Sequence, residues 1–259
     1  WAGDYSKLEA LPLATFDRLP RGASPIYVLA GLDDPTEGCS AGLSTRPKRL
    51  RQVKDLPGLF ELLEPDVAAG NHLLSVGVGQ NAPLTLPVTT VSNHVALITV
   101  SRHGDGGDVR IQRFLLPTTP AHLEESPLGF VRRRVEMQRE FAAGRDLDDL
   151  LERDELHHVM RSAHVEPIGA LLAAYELARR GRHPELERAA PALRAATRVI
   201  PDSAAIGRLA GIRARVPSHP PLFLDGLFAF DLMPDRLPLP VASLDFSGPW
   251  TAWRGVALQ

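Results

Sequence analysis

The chain of 259 residues has a single cysteine, Cys39. An internal disulfide is thereby excluded, and a lone thiol favours a reducing compartment, read here as the cytoplasm. No apolar run approaches the roughly 20 residues that cross a bilayer, and no basic-then-apolar leader opens the chain, so no membrane partner is expected. An excess of one charge is also missing: 29 basic against 31 acidic side chains leave a formal net charge of -2. General nucleic-acid binders show a basic face, and this balance removes the electrostatic case for a nucleic-acid partner. Lysine is scarce, confined to Lys7, Lys48 and Lys54, so the basic residues are nearly all arginine. The chain starts at Trp1 rather than Met, which leaves room for a neighbouring domain that carries an activity. At this length folding buries roughly 70 to 75% of the unfolded surface, enough for one large or two modest cores without metal or disulfide.

Two textures follow along the chain. Between about Gly22 and Pro117, short runs rich in branched or aromatic residues alternate with Gly, Pro, Asn and Asp clusters, the punctuation between strands. These runs are 26–30, 73–78, 84–86, 94–100 and 109–115. His103-Gly104-Asp105-Gly106-Gly107-Asp108 predicts a hairpin between the last two. In its second strand Val109, Ile111 and Phe114 face the core, whereas Arg110, Gln112 and Arg113 face water. Residues 46–64, with Leu56, Leu59, Phe60, Leu62 and Leu63, read as a short amphipathic helix or a covering loop.

From about Glu124 to Val216 the period becomes helical. Pro167 opens a helix bearing Ile168, Leu171, Leu172 and Tyr175 on one face, and Gly181 stops it. Leu186, Ala190 and Leu193 mark the next helix, closed by Pro201, and Asp202 or Ser203 caps a third. Segments 131–143 and 147–161 supply two more. The prolines from Pro217 onward forbid one regular helix, although 222–232 can form one, and Phe246, Trp250 and Trp253 are expected to fold back onto the helices. The fold class is therefore α+β: an N-terminal extension (1–21), an antiparallel β-sandwich-like domain (22–120), and an α-helical domain, a bundle with a Pro-rich aromatic end (121–259).

No active site assembles from motifs. Cys39 sits in Glu37-Gly38-Cys39-Ser40-Ala41-Gly42 with no histidine before His72, and a nucleophilic thiol needs a nearby base or cation. A cysteine or serine hydrolase using Cys39, or a serine, with His72 or His94 is the enzyme alternative. His157, His158 and His164 lack zinc-ligand spacing, and the acidic run from Asp146 to Glu155 lacks a cation loop, so no metal or cofactor is expected. A helical-repeat adaptor is a third alternative, although the helix pairs show no 34-residue repeat. Arg132, Arg133 and Arg134 are the candidate partner-binding residues, suited to an acidic partner or phosphate.

Glu166-Pro167-Ile168-Gly169-Ala170-Leu171-Leu172, the later Ile200-Pro201-Asp202-Ser203-Ala204, the earlier Pro83-Leu84-Thr85-Leu86-Pro87-Val88, and the closing Ser247-Gly248-Pro249-Trp250-Thr251-Ala252-Trp253-Arg254 together resemble the C-terminal region of bacterial caspase-like proteins. The likeness spans roughly residues 70 to 254 and rests on packing and turn residues. It implies a non-catalytic interaction or regulatory module, itself open to cleavage as a protease substrate. The module would act in a bacterial caspase-like protease system of stress or antiphage defence, with that protease or its effector as protein partner. The peptidase His and Cys motifs are absent, so Cys39 inherits no catalytic role.

Overall fold

Branched residues between turn-forming clusters become strands because they fit a half-buried pleated surface. In the computed structural model the described residues are 24–30, 40–43, 48–49, 51–52, 59–62, 69–77, 82–103, 108–118, 127–147, 159–231, 237, 239–246 and 248–256. Their strands are β1 (Ile26–Ala30), β2 (Ser40–Leu43), β3 (Lys48–Arg49), β4 (Arg51–Gln52), β5 (Leu59–Leu62), β6 (Gly70–Gly77), β7 (Leu84–Thr90), β8 (His94–His103), β9 (Asp108–Pro117) and β10 (Trp253–Arg254). One sheet runs in the order β4-β5-β1-β8-β9, the other β10-β7-β6-β2-β3. The expected hairpin is present, with β8 and β9 antiparallel from His94↔Pro117 to His103↔Asp108.

Three expectations are corrected. The first sheet is not wholly antiparallel, because β1 runs parallel to β8 with Ile26 opposite Ala96. Parallel neighbours need a long crossover, and here the strands of the second sheet supply it. Part of the segment read as a helix or loop is strand: β4 and β5 lie in the first sheet, with Val28 opposite Phe60. Pairing with β1 decides that conformation, and a stretch of four residues is too short for periodicity to reveal it. Third, the aromatic end returns to the second sheet as well as to the helices, since Trp253 of β10 pairs with Thr85 of β7.

The helices are α1 (Pro127–Ala142), α2 (Pro167–Arg179), α3 (His183–Ala196), α4 (Asp202–Leu209) and α5 (Leu224–Phe228). Helix α2 starts with proline in its first turn and is buried at every position from Pro167 to Leu177, which makes it a central rod rather than an amphipathic one. It stops where expected, at Gly181 with φ +68, and Arg182 N donates to Leu177 O there. Asp202 does not cap α4: Pro201 occupies the N-cap, with no side-chain capping bond. The helix expected over 222–232 is five residues long. Most of the helix expected over 147–161 lies outside the described residues. One apolar cluster joins Ile26, Leu86 and Ile98 of the sheets to Tyr175 and Leu193 of the helices and to Phe223 and Trp253 of the C-terminal return. Among the described residues, no helix is long and apolar enough to cross a membrane.

Candidate functional site

Arg113 of β9, expected to face water, is 3% exposed. The C-terminal return covers it. Its guanidinium donates to Pro87 O and, at 2.8 Å, to Thr251 O, and lies 5.0 Å from the centre of the Trp250 ring. Full burial brings its pKa down to about 9, with Asp202 partly opposing the shift. Trp250 stacks at 4.5 Å on Phe223, which contacts Tyr175 at 5.2 Å. The Tyr175 hydroxyl donates to Asp202 Oδ1 at 2.8 Å, and burial raises the tyrosine pKa well above its usual value. Leu222 N and Phe223 N also donate to the Asp202 carboxylate, at 2.6 and 3.1 Å. Burial pushes Asp202 up to about 6 despite these bonds. The aspartate of the Ile200-Pro201-Asp202 step therefore fastens the C-terminal return to α4.

Above this layer, among the described residues, no strand pairs with the outer edge of the first sheet. β9 is its terminal strand. At Arg113 the edge is closed by a side chain that imitates a strand: Gln138 of α1 donates from Nε2 to Arg113 O at 2.8 Å and accepts from Arg113 N at 3.4 Å. Main-chain groups of Arg113 therefore point away from β8, and by the two-residue alternation of an antiparallel ladder those of Ile111 do too. Ile111 and Gln112 line a groove of about 330 Å³, walled by Gln138 and Arg139 of α1 and by Pro249 and Trp250 of the return. The charges at its rim are mixed: Arg145 pairs with Glu140 and Asp245 with Arg254, the latter at 2.8 Å. Its lining contains no Ser, Thr, Cys or His, and its one carboxylate, Asp245, is paired with Arg254. An added strand would find main-chain partners, an apolar wall and a glutamine that ends the register.

No family model matches the chain, and no solved structure matches it. It is similar to a probable protease of a Desulfuromonadales bacterium, 28% identical over 158 residues. The match covers 58% of this chain and 18% of that protein. The chain therefore spans less than a fifth of the length of the curated relative it matches.

The residues singled out from sequence are scattered. Arg133 is exposed, and the side chain of Arg132 lies outside the described residues. Arg134 is buried and ion-paired with Glu166, so it is not free for a partner. That pair explains the Glu166-Pro167-Ile168-Gly169 run, because a Cβ at Gly169 would collide with the Glu166 carboxylate. The buried stripe Arg134, Met137, Gln138, Phe141 has helical spacing i, i+3, i+4, i+7, the signal that separates Arg134 from its neighbours.

His94 is buried at the start of β8. It is 8% exposed, with Nδ1 3.1 Å from Ser92 O and Nε2 3.3 Å from Val165 O. Burial lowers its pKa, against the pull of those carbonyls. His72 is half-buried on β6, 3.3 Å from Thr90 Oγ1. Cys39, His157 and His158 lie outside the described residues, and His164 is exposed. Among the described residues no group of three His, Cys, Asp or Glu is placed to hold a metal. Arg113, Gln138 and Asp202, the residues that shape the groove and its floor, were missed as site residues. Their roles depend on contacts with segments far away in sequence.

Proposed function

We propose that this chain is a non-catalytic interaction module of a protease-type polypeptide, and that its groove receives an extended segment of that polypeptide as an added strand of the first sheet. The observation that carries this reading is the Gln138 clamp on Arg113. It exposes the pairing direction of β9 and leaves Ile111, two residues along, facing a groove lined by no Ser, Thr, Cys or His. The likeness to a probable protease, of which the matched region is a small part, supports the choice of occupant, because most of such a protein lies beyond this region. We read the strands β1 to β9 as a sandwich-like unit over 22–120, to which the C-terminal β10 adds one strand, and the helices as a bundle over 121–259. The caspase-like setting and a role in stress or antiphage defence belong to the same proposal and rest on the resemblance of the packing motifs.

The test is strand addition itself. Proline at Ile111 removes an amide that points away from β8, so the hairpin ladder keeps its bonds while an incoming strand loses a partner. Photo-crosslinking from position 112 in the native host is expected to label an extended segment of a peptidase-bearing polypeptide, and Ile111→Pro to abolish that labelling while the protein still melts cooperatively. Labelling that survives Ile111→Pro, or a labelled protein without a peptidase domain, overturns the proposal.

A further inference from the structure

Charge of one sign gathers beside the end of α3. A bowl of about 350 Å³ opens where the end of α3, the first turn of α4, Asn71 of β6 and the segment 215–219 meet. Arg194, Arg198, Arg215 and His219 line it, and no Asp or Glu does. Among the described residues none of the three arginines is in an ion pair. Arg194 lies against Gly207, where a Cβ would come within 2.9 Å of its Nε, and that Nε is buried without a hydrogen-bond acceptor. The last turn of α3 offsets part of the Arg194 charge through its carbonyl end. Arg198 and Arg215 are exposed. Asp202, beside the bowl in sequence, is turned away and engaged by Leu222 N, Phe223 N and Tyr175.

Three permanent cations held round one concavity repel one another, and a bound anion relieves that repulsion. A carboxylate offsets one charge. A phosphate monoester carries about -2 and three acceptor oxygens, which suit guanidinium forks. The volume falls within the roughly 300 to 1,000 Å³ of small-molecule clefts. We propose that the bowl binds the phosphoryl group of a small, soluble phosphate ester. The site shares no lining residue with the groove at β9, so either proposal can fail alone.

The test is calorimetric titration of the whole chain with phenyl phosphate at constant ionic strength, with benzoate in parallel. Saturable binding of phenyl phosphate is expected, weakened about tenfold or more in the double variant Arg198→Gln/Arg215→Gln, which loses two charge-assisted contacts. Arg213→Gln, exposed and outside the bowl, is expected to bind as the parent does. The double variant alters exposed side chains and should keep the parent melting midpoint. Flotation with phosphatidate vesicles separates a lipid headgroup from a free ester. Absence of saturable binding, equal affinity for benzoate, unchanged binding in the double variant, or binding to vesicles alone would each overturn the proposal.

Discussion

The first turn of α4 has two sides with opposite character. Inward, the Asp202 carboxylate takes three hydrogen bonds and ties together α2, α4 and the C-terminal return. Outward, Ser203 and Ala204 face a bowl whose three arginines have no carboxylate among the described residues. Where polar groups are buried and answered they serve the fold, because an unanswered one costs about 1 to 3 kcal/mol or more. Where they converge in reach of solvent without partners, the arrangement is left for a ligand. The groove at β9 has the same contrast on a smaller scale: Gln138 answers Arg113, and the edge beyond it pairs with no strand among the described residues.

The comparison breaks most readily on its inward side. Tyr175→Ala removes a fully buried ring and one donor to Asp202, and should cost about 3 to 5 kcal/mol in urea unfolding. Leu193→Ala, a packing change without a polar term, should cost about 2 to 5 kcal/mol. A loss below about 1 kcal/mol at Tyr175 would mean that the inward side is not what holds the return in place.

A second experiment sharpens the contrast through pH. The Asp202 carboxyl titrates near 3.8 when unfolded and about 6 when folded. The folded chain then holds that proton longer, so this group's contribution is complete below about pH 4 and is lost as pH rises to about 6, a change of about 3 kcal/mol. Asp202→Asn should therefore gain about 3 kcal/mol on the parent between pH 4 and pH 7. His94, whose pKa burial depresses, acts in the opposite sense, with stability lost as pH falls below its unfolded value near 6.5. It is present in both proteins and cancels in the difference. A difference independent of pH would show that Asp202 is ionised in the fold throughout.

The arginine run divides along the same line. Arg134→Ala strands Glu166 in the interior and should cost about 3 to 5 kcal/mol, whereas Arg133→Ala at an exposed position should stay within about 0.5 kcal/mol. Equal costs at the two positions would show that the run acts as one surface after all.

What the sequence disclosed and what it hid divide along the range of the forces involved. The strands at 26–30, 94–103 and 108–117 and the helices at 167–179 and 183–196 are visible because alternation, helical period, Pro167 and Gly181 act over a few residues. The parallel pairing of β1 with β8, the burial of Arg113 and the anchoring role of Asp202 were illegible, since each depends on segments distant in sequence. The groove was hidden for the same reason: one wall comes from α1, its edge from β9 and its far wall from the last residues described. The bowl escaped because balanced charge along the chain says nothing about how arginines from two segments meet.

Thr85 Oγ1 donates to Val256 O at 2.6 Å across 171 positions of sequence, beside the pairing of β10 with β7. During synthesis at about 5 to 20 residues per second, β7 must wait on the order of 10 to 30 s for that mate to leave the ribosome. Until then one flank of the second sheet lacks its mate, so that sheet is completed only after the C-terminal return has been made.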